Sequence, residues 1–195
     1  MIRRHLALFA GLFGLYAGSA LAKPVHYVCD PAHTHPSFWA DHFGGLSVWR
    51  GVFTHTTCTI VLDRQRHTGS VDVTIDTGSA DFGESQLNED IKAPALLDVA
   101  KYPTATYQGR LAGFRDGSPT RVIGTFTFRG VTHPLDLTID HFECKQIAMM
   151  HQYRCGADAR GEFNRAQYGM DFGKQLGFRM WVKLFIQVEA ARQGS

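Results

Sequence analysis

The stretch Val71-Asp72-Val73-Thr74-Ile75-Asp76-Thr77-Gly78-Ser79 admits two readings that lead to different folds. Asp76-Thr77-Gly78-Ser79 is the four-residue signature of aspartic proteases. Val71, Val73 and Ile75 alternating with Asp72, Thr74 and Asp76 is instead the period-two pattern of a strand with one buried face. Protease chemistry needs two carboxylates sharing one proton across a two-fold interface. The chain carries a single Asp-Thr-Gly, so a homodimer would have to supply the second Asp76, and only Val122-Ile123-Gly124 resembles another element of such a lobe. The simpler reading ends a strand at Asp76 and lets Gly78 turn the chain toward a helical segment.

Working outward, the same alternation recurs. Val122, Gly124, Phe126 and Phe128 take one side of a second strand, and Leu135, Leu137 and Ile139 one side of a third. Ala157, Ala159, Gly161 and Phe163, then Met180, Val182, Leu184, Ile186 and Val188, mark two more. Weaker candidates at 33–42, 48–62 and 104–112 bring the expected number to eight. Short connections at 42–46 and 129–132 make neighbours antiparallel. One helical region is expected within 81–99, where Leu87 and Ile91 repeat at i, i+4 and Pro94 opens a second short helix. The fold class is therefore all-β: an eight-stranded antiparallel barrel with a short helical insertion as a lid at one end, its interior filled or hollow. Trp181 and Phe185, on the outer side of the last strand, are expected to pack beneath a neighbouring loop.

Residues 1–22 read as a secretory signal: Arg3 and Arg4, an apolar run over 6–16, and Ala20-Leu21-Ala22 as the cleavage site. Residues 23–195 then form one expected domain, in the periplasm. Cleavage removes two of the 20 basic side chains and none of the 18 acidic ones, so the remainder is formally neutral. Net charge thus gives no support to a nucleic-acid partner.

Export places Cys29, Cys58, Cys144 and Cys155 where disulfides persist, and no C-x-x-C is present for redox or zinc chemistry. A first hairpin centred near Gly44 makes facing residue numbers sum to about 88, which sets Cys29 near Cys58. The favoured pairing is Cys29 with Cys58 and Cys144 with Cys155, each bridging segments that a hairpin brings together. The same register sets His55 opposite His33, with His35 two residues on, so three imidazoles could hold zinc or copper. No nucleophile elbow, P-loop or H-E-x-x-H occurs, and no catalytic cofactor is called for.

The order of motifs resembles the YceI family of secreted, lipocalin-like isoprenoid-binding proteins, from about Tyr27 to Glu189. It opens with Tyr27-Val28-Cys29-Asp30-Pro31-Ala32-His33-Thr34, then Phe38, His42 and Gly51-Val52-Phe53. Leu97-Asp98-Val99-Ala100-Lys101-Tyr102-Pro103-Thr104-Ala105-Thr106-Tyr107 is the most specific stretch and Gly130-Val131-Thr132-His133-Pro134-Leu135 the next. Cys155-Gly156-Ala157-Asp158-Ala159, with Arg165 and Gly169-Met170, resembles a subgroup with a late disulfide, which supports Cys144 with Cys155. The resemblance implies a lipocalin-like barrel that is not an enzyme. It would carry or store a long apolar ligand such as a polyisoprenoid or an isoprenoid quinone, either alone or as a homodimer. Family members also occur alongside membrane b-type cytochromes, which would be a partner. Phe38, Phe53, Ile75, Tyr107, Phe126, Phe128, Leu137, Ile139, Leu184 and Ile186 are the expected lining, with Tyr107 and His42 as head-group contacts at the mouth.

Overall fold

In the computed structural model, residues 23–194 are described; the signal sequence expected at 1–22 lies outside them. Strands β1 (Val25–Cys29), β2 (His35–His42), β3 (Ser47–Phe53), β4 (Thr56–Asp63), β5 (Thr68–Asp76) and β6 (Ala80–Asp81) precede helix α1 (Ser85–Asp90). They are followed by β7 (Thr104–Ala112), β8 (Arg121–Phe128), β9 (Val131–Pro134), β10 (Leu137–Ile147), β11 (Gln152–Asn164) and β12 (Trp181–Arg192). Every pairing is antiparallel, and β12 pairs with β1, so the sheet closes on itself. Four of the eight staves are interrupted: β1 and β2 form one, β3 and β4 a second, β5 and β6 a third, β9 and β10 a fourth. The ring is the expected lipocalin-like eight-stranded barrel.

The interruptions have local causes. Between β1 and β2, Pro31–His33 forms a 3-10 turn capped by Asp30, whose carboxylate accepts from the Ala32 N–H at 3.0 Å. This turn adds residues to one stave only. Facing numbers therefore sum to 89 in the β2–β3 half, as in His42 with Ser47, and to 87 in the β1–β4 half, as in Tyr27 with Ile60. The expected sum of 88 lies midway, and Cys29 and Cys58 are joined. In β10 a bulge between Ile139 and His141 exchanges the two faces, so Phe142 takes the inward place that odd-numbered residues hold before it. The β8–β9 hairpin needs only Arg129 and Gly130 in its loop, both at positive φ, so Val131 and Thr132, expected in the turn, are already strand.

Four further expectations are corrected. The first stave starts at Val25 rather than His33, and the β10–β11 hairpin runs well past residues 140 and 157, carrying Cys144 directly opposite Cys155 in a disulfide. Pro94 does not open a second helix: residues 91–101 are consecutive turns, with Asp98 at positive φ and both Asp98 and Leu96 donating to the Ala93 carbonyl. Phe185 packs against Trp39 of β2 instead, ring centroids 4.3 Å apart with the planes tilted, while Trp181 stays exposed.

The Asp-Thr-Gly-Ser stretch is a strand end. Asp76 caps a 3-10 turn over Thr77–Ser79, its exposed carboxylate accepting from the Gly78 N–H at 2.8 Å. Thr77 is wholly buried and donates to the Tyr102 carbonyl at 2.6 Å, which ties this end of β5 to the chain entering β7. The motif's polar groups are thus committed to turning the chain.

Candidate functional site

The inward faces of the staves enclose one long cavity of about 820 Å³. Leu111, Pro119 and Val122 line its lower end, and beyond them Tyr27 and Leu62 are buried among the strand ends. Its upper end lies among three segments: the β2–β3 turn with Phe43, the insertion with Leu87, Ile91, Leu96 and Leu97, and the loop before β12 with Phe172, Leu176 and Phe178. The insertion is held to the barrel by Arg129, which donates to the Pro94 carbonyl at 3.1 Å and to the Leu96 carbonyl, and lies over the Tyr102 ring. A wall of this composition strips water from an apolar chain, a gain of about 0.8 kcal/mol per buried methylene before ordering costs.

All ten residues expected to line the barrel border this cavity. Phe38 and Phe53 pack together near the mouth, centroids 5.1 Å apart, with Phe82 of the insertion set edge-on to Phe38. Phe126 and Phe128 stack at 5.6 Å and join Phe163 and the buried Tyr168 in a cluster on the opposite wall. Ile75, Leu137, Ile139, Leu184 and Ile186 complete the aliphatic wall.

Of the two expected head-group contacts, only His42 stands at the mouth. Its ring lies against Phe43, Trp49 and Phe178, and its Nδ1 is 3.2 Å from the Ser47 hydroxyl. Tyr107 lies in mid-wall, opposite Val73 and Phe126, and its phenol donates to the Leu135 carbonyl at 3.0 Å. Burial, with Asp136 nearby, pushes its pKa far above the usual tyrosine range, so the hydroxyl stays a donor committed to the wall.

Sequence reasoning missed the charge at the mouth. Arg165, used there only as a mark of resemblance, is buried and borders the cavity. Its guanidinium donates to the Met170 and Phe172 carbonyls at 2.8 and 2.9 Å, and among the described residues it makes no ion pair. Burial lowers its pKa, and the more distant Asp171 and Asp41 oppose that shift. Carbonyls carry no net charge, so their hydrogen bonds hold the guanidinium at the mouth of an apolar channel without neutralising it.

The three imidazoles are not gathered into a site. The 3-10 turn takes His33 off the strand, where its Nδ1 meets Asp30 at 3.0 Å; His35 bonds the Ala32 carbonyl, and His55 is exposed, 3.9 Å from Asp76. Among the described residues no three metal-ligating side chains lie together.

An antiparallel eight-stranded barrel with a deep apolar lumen defines a class of proteins that bind apolar molecules internally. Residues 27–190 match the YceI-like domain, and the chain belongs to that family. It is similar to a UPF0312 protein of Pectobacterium atrosepticum, 29% identical over 184 residues and covering 91% of each chain. Protein YceI of Escherichia coli is 28% identical over the same length and coverage. Among solved structures, BcnA of Burkholderia cenocepacia has a TM-score of 0.65 at 18% identity, covering 83% of this chain and 98% of its own. A polyisoprenoid-binding domain from Saccharophagus degradans has a TM-score of 0.59 at 13% identity, covering 85% and 98%. At these identities the two structures establish the shared fold.

Proposed function

We propose that this protein binds a long apolar molecule, a polyisoprenoid, an isoprenoid quinone or a similar lipid, and carries or stores it in the periplasm after cleavage near Ala22. The observation that carries the reading is the lumen itself, which runs from the mouth to Leu111 and Val122 between walls of aromatic and aliphatic side chains. The solved relative described as a polyisoprenoid-binding domain supports the same ligand class. The head group would remain at the mouth, beside His42 and Arg165, while the tail fills the channel. Membership of the YceI-like family and the polyisoprenoid-binding neighbour support binding rather than catalysis as the activity. Native mass spectrometry of protein purified from its own periplasm, followed by organic extraction, tests this. A prenyl lipid or quinone recovered at about one per chain is expected; a chain that stays empty and takes up no prenyl compound overturns the reading.

A further inference from the structure

The mouth is ringed by apolar side chains that nothing among the described residues covers. Leu46 is 79% exposed, Leu176 69%, Phe43 57% and Phe172 53%. They come from two loops that form one platform. The Asp41 carboxylate accepts from the Gly44 N–H at 2.9 Å and from the Arg179 N–H at 3.0 Å, and so staples the β2–β3 turn to the loop before β12. Phe43 and Phe178 pack across the seam, centroids 5.1 Å apart, and Gly44 lies so close to the Gly177 carbonyl that a Cβ there would be 2.9 Å from it. Exposed apolar groups on a braced platform are unlike scattered surface leucines.

Exposed cations outnumber exposed carboxylates around this platform. Arg50, Lys174, Arg179 and Lys183 are exposed around it, against two exposed carboxylates, Asp171 on the loop before β12 and Glu162, which faces Lys183 across the β11–β12 register; Asp41 is nearly buried and already bonded to Arg179. The acidic side chains of the mouth, Glu84, Glu89 and Asp90, lie on the other side, on α1 and its cap. On the outer wall just beneath the platform stand Trp181 and the Trp39–Phe185 pair, with the Arg50 guanidinium 4.7 Å above Trp39. Apolar tips, cations beside them and indoles one step below is the composition that settles at a bilayer interface.

We propose that this rim docks the mouth of the barrel onto an anionic lipid bilayer, so that an apolar tail passes between membrane and lumen without crossing water. The purpose of the contact rests on the carrier reading; the contact itself does not. Leu46 and Lys174 lie outside the cavity lining, so Leu46→Glu/Lys174→Glu removes apolar and cationic contact while leaving the lumen intact. The test is flotation of the mature chain with vesicles of phosphatidylglycerol in phosphatidylcholine against phosphatidylcholine alone, together with uptake of a fluorescent apolar probe into the lumen. Binding at least about tenfold stronger on the anionic vesicles, weakened by salt and lost in the double variant, is expected. The probe should enter both proteins equally. Absence of vesicle binding with normal probe uptake overturns the docking and leaves the carrier reading standing. Vesicle binding without probe uptake supports docking and counts against the carrier. A concentration-dependent dimer dissolved by the same substitutions, with no vesicle binding, overturns the proposal and gives the rim to a second copy.

Discussion

Ala159→Phe is the sharpest probe of where a ligand sits. Ala159 lies on β11 between Ile139 of β10 and Ile186 of β12, all three facing the lumen. A phenylalanine ring at this point stands in the middle of a channel of about 820 Å³ with nowhere to go but inward. It takes the place of about six ligand carbons, and at about 0.8 kcal/mol per buried methylene the gross loss approaches ~5 kcal/mol. Part of this is recovered, because a shortened ligand loses less freedom on binding and the new ring adds its own contacts. A net loss of about 3 kcal/mol, or roughly a hundredfold in Kd, is the expected result. Titration of a long-chain prenyl or quinone probe by intrinsic fluorescence reads it directly. Arg160→Phe, one residue on and facing outward, is the control and should bind as the parent does. Equal affinities for Ala159→Phe and the parent, with the fold intact by circular dichroism, would refute a lumen-bound ligand.

Tyr107→Phe removes the donor of a buried bond and leaves the Leu135 carbonyl unpaired, so a loss of about 1–2 kcal/mol in urea unfolding is expected, with ligand affinity within about twofold. Replacing Cys144 and Cys155 together by alanine frees a short loop and should cost about 3 kcal/mol on the loop-entropy relation, and the Cys29–Cys58 pair, closing a longer one, about 3–4 kcal/mol. Thermal unfolding under oxidising conditions ranks them; equal values would point away from chain entropy as the source. Asp30 is held at about 2 by the hydrogen bond from His33 first, with Arg154 and the Ala32 N–H assisting, below its ordinary 3.8. A carboxyl depressed in the fold contributes stability above its unfolded pKa and loses it as pH falls through the folded one. The contribution should therefore be full above about pH 4, fade toward pH 2, and be worth about 1 kcal/mol after solvent screening. Asp30→Asn should flatten that part of the acid unfolding curve, measured by ellipticity against pH.

Parity along a strand was the legible quantity, and height within the barrel was not. Phe126 and Leu184 could be set inward from alternation alone because one face of each strand is buried. Alternation places Tyr107 inward too, but says nothing of how far it lies below the mouth; that depends on the stagger between staves. Where the face changes, the signal fails. The bulge after Ile139 breaks the pattern before Phe142, and the far half of β10 extends past β8 with few buried positions, so its residues carry no strong one-sided stripe. The mouth escaped for a different reason. Phe172, Leu176 and Phe178 come from an irregular loop, with Gly173 and Gly177 both at positive φ, and apolar residues in a loop have no period to read. Arg165 looked like any surface arginine until the carbonyls of Met170 and Phe172 were seen to enclose it.

The same lining residues could have filled the barrel, and the difference between a filled and a hollow one lies in their partners across the wall. Phe38 faces Gly51 on the adjacent strand, and a Cβ on that glycine would stand 2.5 Å from the Phe38 ring. Tyr107 lies over Gly124 in the same way, 2.5 Å from its phenolic oxygen to where a Cβ would be. In both cases the missing side chain is the space the ring occupies, so the ring lies along the wall instead of reaching across the lumen. The hydrogen bond to Leu135 pins Tyr107 in that posture, and Phe53 and Phe82 brace Phe38 in its own. Glycine in a strand interior costs stability on its own account. Two of them placed under aromatic rings of the lining make physical sense in a barrel whose centre is kept open for something else.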